Sequence, residues 1–180
     1  MALSATVHSF EVTLNDADRG VYTPLEFRIA RHPSETAEYL MTRVLAYCLE
    51  YAEGLAFSKG GLSDPDAPAL EIRDLTGALR AWIEVGLPDA GRLHKAAKAA
   101  PRVAVYSYKD VEALVARLGT EAVHRAAQIE VYALDPRLLA GLAARLERRM
   151  RLDLAVSDAQ LYLSVGGETL VGAVTRHRAV

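Results

Sequence analysis

Asp66 and Glu84 are the two carboxylates whose placement suggests chemistry. Mg²⁺ and Mn²⁺ are held by oxygen ligands gathered at one point, with waters completing the shell. A metal so held activates water and neutralises developing negative charge. Two short strand-like runs, residues 69–74 and 79–85, flank the turn Leu75-Thr76-Gly77. A hairpin brings two carboxylates together only when they sit at the same end. With the turn centred near Thr76, Glu84 lies opposite roughly Pro68, so Asp66, just before the first strand, is at its level. Asp74 lies beside the turn, about 20 Å from Glu84 at the rise of a strand. It reads as a turn residue of Asp74-Leu75-Thr76-Gly77.

Alternation on the second strand gives Glu84 a definite face. Leu79, Ala81, Ile83 and Val85 form an apolar set; Arg80, Trp82, Glu84 and Gly86 form the other. Two readings stand for Glu84: a salt-bridged surface position beside an exposed Trp, or a site residue. Cations follow on the next helix, where Arg92 and Lys95 share a face by their spacing. Lys98 reads as solvated, while Lys95 fits a solvated face and a site equally.

The elements that must position these groups follow from periodicity. Residues 6–14 are β-rich, and 23–31 alternate with Leu25, Phe27 and Ile29 on one face. The polar cluster at 15–20 makes them a hairpin. Pro33 holds His32 extended, Ser34 is a good N-cap, and Glu35 and Glu38 suit a helix N-terminus. Leu40, Val44, Tyr47, Cys48, Tyr51 and Leu55 carry that helix to about Gly54. A loop covers 57–68. After the carboxylate hairpin, Pro88 opens a helix with Leu93, Ala96, Ala97 and Ala100 inside. Then come a strand at 102–108, a helix at 110–119, a strand at 128–134, mostly helix over 136–150, and an antiparallel meander. The fold class is α/β: a mixed sheet with flanking helices and extra antiparallel strands from both termini, in a single domain, 1–180.

The string Pro65-Asp66, then Glu84-Val85-Gly86, resembles the PD-(D/E)XK nuclease motif, and the order helix–strand–strand–helix–strand resembles that superfamily's core. Gly86 stands where that motif has its Lys. Some members of the superfamily place the Lys on the following helix, which points to Lys95. The chain also resembles a narrower bacterial family, the YaeQ proteins, over nearly its full length. The resemblance rests on Arg31-His32-Pro33-Ser34-Glu35-Thr36, the 57–62 loop, Asp66 and Pro68, Trp82-Ile83-Glu84-Val85-Gly86-Leu87-Pro88-Asp89, and Arg92-Leu93-His94-Lys95-Ala96. It implies Asp66 and Glu84 as metal carboxylates, completed by a helix carboxylate, Glu38 or Glu35. Of the two, Glu38 is one turn into the helix and is the choice. The family has no settled activity, so the resemblance defines a fold more than a function.

Whole-chain properties narrow the classes. The chain has 180 residues, 51% hydrophobic and 24% charged, an ordinary globular composition. A formal net charge of −2 leaves nucleic-acid contact to a local patch. Cys48 is the single cysteine, so a disulfide within the chain and a thiolate metal cage are excluded. No apolar run spans a bilayer and the N-terminus lacks a signal pattern, so the expected setting is reducing and cytoplasmic. The five histidines show no zinc spacing, and Lys59-Gly60-Gly61 lacks Walker spacing. Arg176-His177-Arg178 reads as a solvated basic end.

Two function classes follow. One is a Mg²⁺- or Mn²⁺-dependent phosphodiesterase acting on nucleic acid. Asp66, Glu84 and Glu38 would hold the metal, Lys95 would supply positive charge, and Arg31, His32, Lys59 and Arg92 would contact phosphates. The other is a non-catalytic module on the same fold that binds nucleic acid or protein, which Gly86 favours.

Overall fold

The computed structural model describes residues 4–58, 64 and 66–179. In chain order its elements are β1 (Thr6–Asp16), β2 (Val21–Arg31), α1 (Ala37–Leu49), β3 (Leu55–Phe57), β4 (Leu70–Arg73), β5 (Leu79–Val85), α2 (Ala90–Ala99), β6 (Arg102–Ser107), α3 (Val111–Thr120), a 3-10 turn (Ala126–Gln128), β7 (Glu130–Leu134), α4 (Pro136–Ala143), β8 (Arg149–Ser157), β9 (Gln160–Val165) and β10 (Glu168–Arg178). They form two compact units. The first comprises Met1–Met41 and Leu134–Val174; the second comprises Thr42–Ala133 and Thr175–Val180. The chain passes between them inside α1, at the end of β7 and inside β10.

The first unit is built on a mixed sheet in the order β2-β1-β8-β9-β10. β1 pairs antiparallel with β2 and parallel with β8, and the remaining pairs are antiparallel. Its alternating sequences bury one face and leave the other to solvent. Phe10, Val12, Leu14, Leu25, Phe27, Ile29, Leu152, Leu154, Leu161 and Leu163 are buried. The Phe10 and Phe27 rings stack at 5.5 Å. Between β8 and β9 the chain turns on Asp158 and Ala159, both left-handed at φ 51° and 58°. Asp18 accepts hydrogen bonds from both of their amides, at 2.8 and 2.9 Å.

The segment expected to stay mostly helical to Met150 does not. α4 ends at Ala143, and Arg149 opens β8. Long straight side chains favour a helix there, but pairing with β1 overrides them. Buried His8 donates its Nδ1–H to the Glu147 carbonyl at 2.9 Å, and the Ser9 amide donates to the Arg148 carbonyl at 2.8 Å.

The start of α1 also corrects an expectation. Thr36, not Ser34, accepts from the first turn: its Oγ1 takes the Tyr39 amide at 3.1 Å. Ser34 is engaged with His32 instead, Oγ to Nδ1 at 2.6 Å. Glu35 is buried and accepts the His32 amide at 2.9 Å, while Arg31 Nε donates to the Glu35 carbonyl at 3.0 Å.

The second unit holds the sheet β7-β6-β5-β4-β3. β5, β6 and β7 run parallel, as their connecting helices require; β4 and β3 are added antiparallel. One face packs Trp82, Val103, Val105 and Val131 against Leu93, Ala96 and Ala97 of α2 and Leu114 and Leu118 of α3. Arg102 and Tyr106, at alternate positions of β6, lie on the other face and carry a polar network. Arg102 donates to both carboxylate oxygens of buried Glu50, at 2.7 and 2.9 Å, and Tyr106 Oη donates to Glu50 Oε1 at 2.7 Å. Arg102 Nε also donates to Glu130 Oε2 at 2.9 Å. Arg176, expected on a solvated tail, lies in β10 and pairs with Glu130 at 3.0 Å. Burial pushes the Tyr106 hydroxyl well above its ordinary value. α1 ends at Leu49 rather than near Gly54; the Glu50 amide makes a last helical bond to the Ala46 carbonyl at 2.9 Å, and its side chain meets Arg102.

Candidate active site

The hairpin β4–β5 has the register Leu70↔Ile83, Glu71↔Trp82 and Ile72↔Ala81, with an irregularity at Ile72/Arg73. Continued by one pair, it sets Glu84 opposite Ala69, one residue from the expected Pro68. Asp74 is a turn residue, as its neighbours implied. Its Oδ1 accepts from the Thr76 amide at 2.9 Å, the Thr76 hydroxyl at 2.5 Å and the Ala78 amide at 3.0 Å. The Thr76 hydroxyl above all, with Arg80 and backbone amides, lowers the carboxyl to about 2.

Glu84 is buried at 3% exposure, and so is Trp82, which overturns the exposed-Trp reading. Both hydrogen bonds onto Glu84 fall on Oε1: Trp82 Nε1 at 2.5 Å and Arg92 Nε at 2.7 Å. Among the described residues none falls on Oε2. Burial pushes the Glu84 carboxyl above its ordinary range, and the Trp82 hydrogen bond and the Arg92 charge oppose that shift. Arg92 Nη2 also donates to the Ala67 carbonyl at 2.6 Å. One guanidinium thus ties β5 to the chain entering the hairpin.

One turn along α2, Lys95 Nζ pairs with Asp66 Oδ1. Asp66 is exposed, and the Lys95 hydrogen bond and charge hold its carboxyl below the usual range, with a smaller contribution from Arg92. Asp66, Glu84, Arg92 and Lys95 therefore form two ion pairs side by side: both acids from the hairpin, both cations from α2. Asp89 caps the helix at the Arg92 amide, 2.7 Å away. At the other end Arg125 donates to the carbonyls of Ala97 and Ala100, satisfying acceptors that a helix terminus leaves open. The hydrogen bond from Trp82 to Glu84 and the role of Arg125 escaped the sequence reading. Trp82 sits at the alternate position before Glu84, a signal present in the pattern; Arg125 is set only by tertiary structure.

Gly86 ends β5 at φ 89°, and its amide donates to the Tyr106 carbonyl at 2.8 Å. The backbone turns there through the left-handed region, which a lysine adopts at a cost of roughly 1–2 kcal/mol. The chain path thus favours glycine at position 86. Gly86→Lys is expected to lower stability by about that amount in urea unfolding; an unchanged midpoint would contradict the strain.

Arg31, His32 and Glu38 belong to the first unit, around the start of α1. His32 is exposed and hydrogen-bonded to Ser34. Lys59 lies outside the described residues. The fit to a divalent cation rests on two carboxylates. Among the described residues, no three His, Cys, Asp or Glu side chains gather to hold a metal. Mg²⁺ is commonly bound through one or two carboxylates, with waters and substrate phosphates completing the octahedron. Here the candidate carboxylates are Asp66, exposed and paired with Lys95, and Glu84, paired with Arg92 through Oε1. No helix among the described residues is long and apolar enough to cross a membrane.

A large mixed β-sheet with four helices, and a charge-paired hairpin facing a short helix, define the class of α/β protein to which this chain belongs. The YaeQ protein family model matches residues 1–173, and the chain belongs to that family. It is 36% identical over 166 residues, 91% of each chain, to "Uncharacterized protein YaeQ" of Escherichia coli (strain K12), and 35% identical to that of Salmonella typhi over 165 residues. The crystal structure of YaeQ protein from Xanthomonas axonopodis pv. citri superimposes with a TM-score of 0.89 at 32% identity, covering 98% of this chain and 100% of that one. That from Pseudomonas syringae gives 0.85 at 33% identity, covering 96% and 95%.

Proposed function

We propose that the chain is a divalent-metal-dependent phosphodiesterase of the PD-(D/E)XK type acting on nucleic acid, with its centre at Asp66, Glu84 and Lys95. One observation carries the reading: Lys95, on the helix after the hairpin, meets the hairpin carboxylate Asp66. Asp66 and Glu84 would hold Mg²⁺ or Mn²⁺. The bound metal would supply an activated water and positive charge at the scissile phosphate. Lys95, beside Asp66, would supply its ammonium to the phosphate. Arg92 orients Glu84 by a hydrogen bond and, with its charge, opposes the upward shift that burial imposes on the carboxyl. Arg31, His32 and Lys59 are proposed to contact the substrate backbone.

A second reading is favoured by the absence, among the described residues, of a three-ligand metal group. On it the ion pairs only brace the hairpin, and the chain binds nucleic acid or protein without cutting. Cleavage of labelled single-stranded and duplex oligonucleotides with Mn²⁺ separates the two. Wild type is expected to cut, and Lys95→Ala to lose about a hundred-fold. Equal rates in the variant would remove Lys95 from the chemistry, and no cutting by wild type would select the second reading.

A further inference from the structure

The open face of the first unit's sheet carries a second, independent site. Register places Arg28 of β2 and Arg149 of β8 on either side of Ser9 in β1. All three residues face away from the buried side, and both arginines are exposed. Strands lie about 4.8 Å apart, so the two arginines stand about 10 Å apart across one strand. Among the described residues neither has an ion-pair or hydrogen-bond partner. They line a cleft of about 890 Å³. A neighbouring cleft of about 790 Å³ shares Arg149 and Arg151 with it and adds Arg145, which is paired with Glu168 of the same cleft. The segment supplying three of these groups, Arg145-Leu146-Glu147-Arg148-Arg149-Met150-Arg151, holds four arginines and one glutamate. It is pinned to β1 by the His8 and Ser9 hydrogen bonds.

Acidic groups lie further along this face, exposed Asp153 beside Thr13 among them. In the next row, Glu26, Glu11 and Arg151 lie side by side, and Arg151 pairs with Glu11 at 2.7 Å. An anion is therefore received over Ser9, where two guanidiniums are uncommitted. Guanidinium is the side chain best matched to phosphate oxygens, since it donates in a planar fork.

Further along the same face runs a row joined strand to strand: Tyr22, Asn15, Ala155, Tyr162 and Val171. Tyr22 is 64% exposed and Tyr162 41%. From Ser9 to Asn15 is six residues of strand, about 20 Å. A lone phosphate spans a small part of that distance, and a duplex keeps its bases stacked away from the tyrosines. A single strand offers both phosphates for the arginines and open bases for the rings.

We propose that this face binds single-stranded nucleic acid, with Arg28 and Arg149 on the phosphates and Tyr162 and Tyr22 under the bases. The site uses none of the residues of the hairpin centre. It is tested by fluorescence anisotropy of a labelled single-stranded oligonucleotide in EDTA, so the result is separate from that of any cleavage assay. Arg28→Ala with Arg149→Ala is expected to weaken binding at least ten-fold and to flatten the dependence of log K on log salt by about 1.4, two phosphate contacts at about 0.7 each. Tyr162→Ala should weaken binding about ten-fold and leave that slope unchanged. Arg137→Ala, an exposed arginine elsewhere in the same unit, serves as the control, and circular dichroism checks folding. Failure of wild type to bind at low salt overturns the inference. So does equal affinity in the double variant, or saturation by pyrophosphate with no binding of the oligonucleotide.

Discussion

Glu84→Gln is expected to abolish metal-dependent cleavage, by about a hundred-fold or more, while leaving the fold largely intact. Glutamine keeps the shape of the side chain and one carbonyl oxygen for Trp82 Nε1 or Arg92 Nε, which now share Oε1. What it removes is charge and the second carboxylate oxygen, the one left open among the described residues. Glu84→Ala differs: it strands the buried Trp82 donor and the Arg92 guanidinium, at a cost of about 2–4 kcal/mol. Activity lost in both variants but stability lost chiefly in the second is the signature of a group that does chemistry. The pH dependence carries a sign. Burial raises the folded-state value of Glu84 above its ordinary 4.5. Its contribution to stability is therefore complete below 4.5 and declines as pH rises through the raised value. Urea unfolding of wild type and Glu84→Gln across that range should show the decline in wild type alone; parallel curves would contradict it.

Glu50→Ala is expected to be the most destabilising single change in the second unit, at about 3–5 kcal/mol. Three hydrogen bonds end on this buried carboxylate, two from Arg102 and one from Tyr106. Without it the Tyr106 hydroxyl, on a residue 3% exposed, has lost its acceptor, and Arg102 keeps only Glu130. Glu50→Gln should recover part of the loss, because one acceptor oxygen remains. Chemical denaturation measures both, and a cost below about 1 kcal/mol for the alanine would show that the network is solvated rather than structural.

How much of this was legible depended on the range of the interactions. The two hairpins declared themselves through alternation, and the hairpin argument placed Asp66 and Glu84 at one end and Asp74 at the turn. Those are local rules, and local rules sufficed. Tyr51 and Leu55 continued the period of α1, yet the helix stops at Leu49, and the Glu50 side chain meets a partner fifty-two residues away. Arg145–Met150 reads as helix from propensity, and only the docking of β1 makes it enter a strand. That misreading also hid its charge: on a helix these arginines would scatter, while on β8 the alternate residues Arg149 and Arg151 share one face. At the candidate centre the types and order of the groups were readable. Their pairing was not: Lys95 with Asp66 and Arg92 with Glu84 depend on where α2 lies against the hairpin, which Asp89 and Arg125 fix at its two ends.

The most direct test of the metal centre is calorimetric titration of Mn²⁺ into the wild-type chain and into Asp66→Asn. The account predicts a site in the wild type whose affinity falls at least ten-fold in the variant, because the exposed carboxylate now held by Lys95 is the one a cation would take. No Mn²⁺ binding by wild type, or equal binding by both, would contradict it.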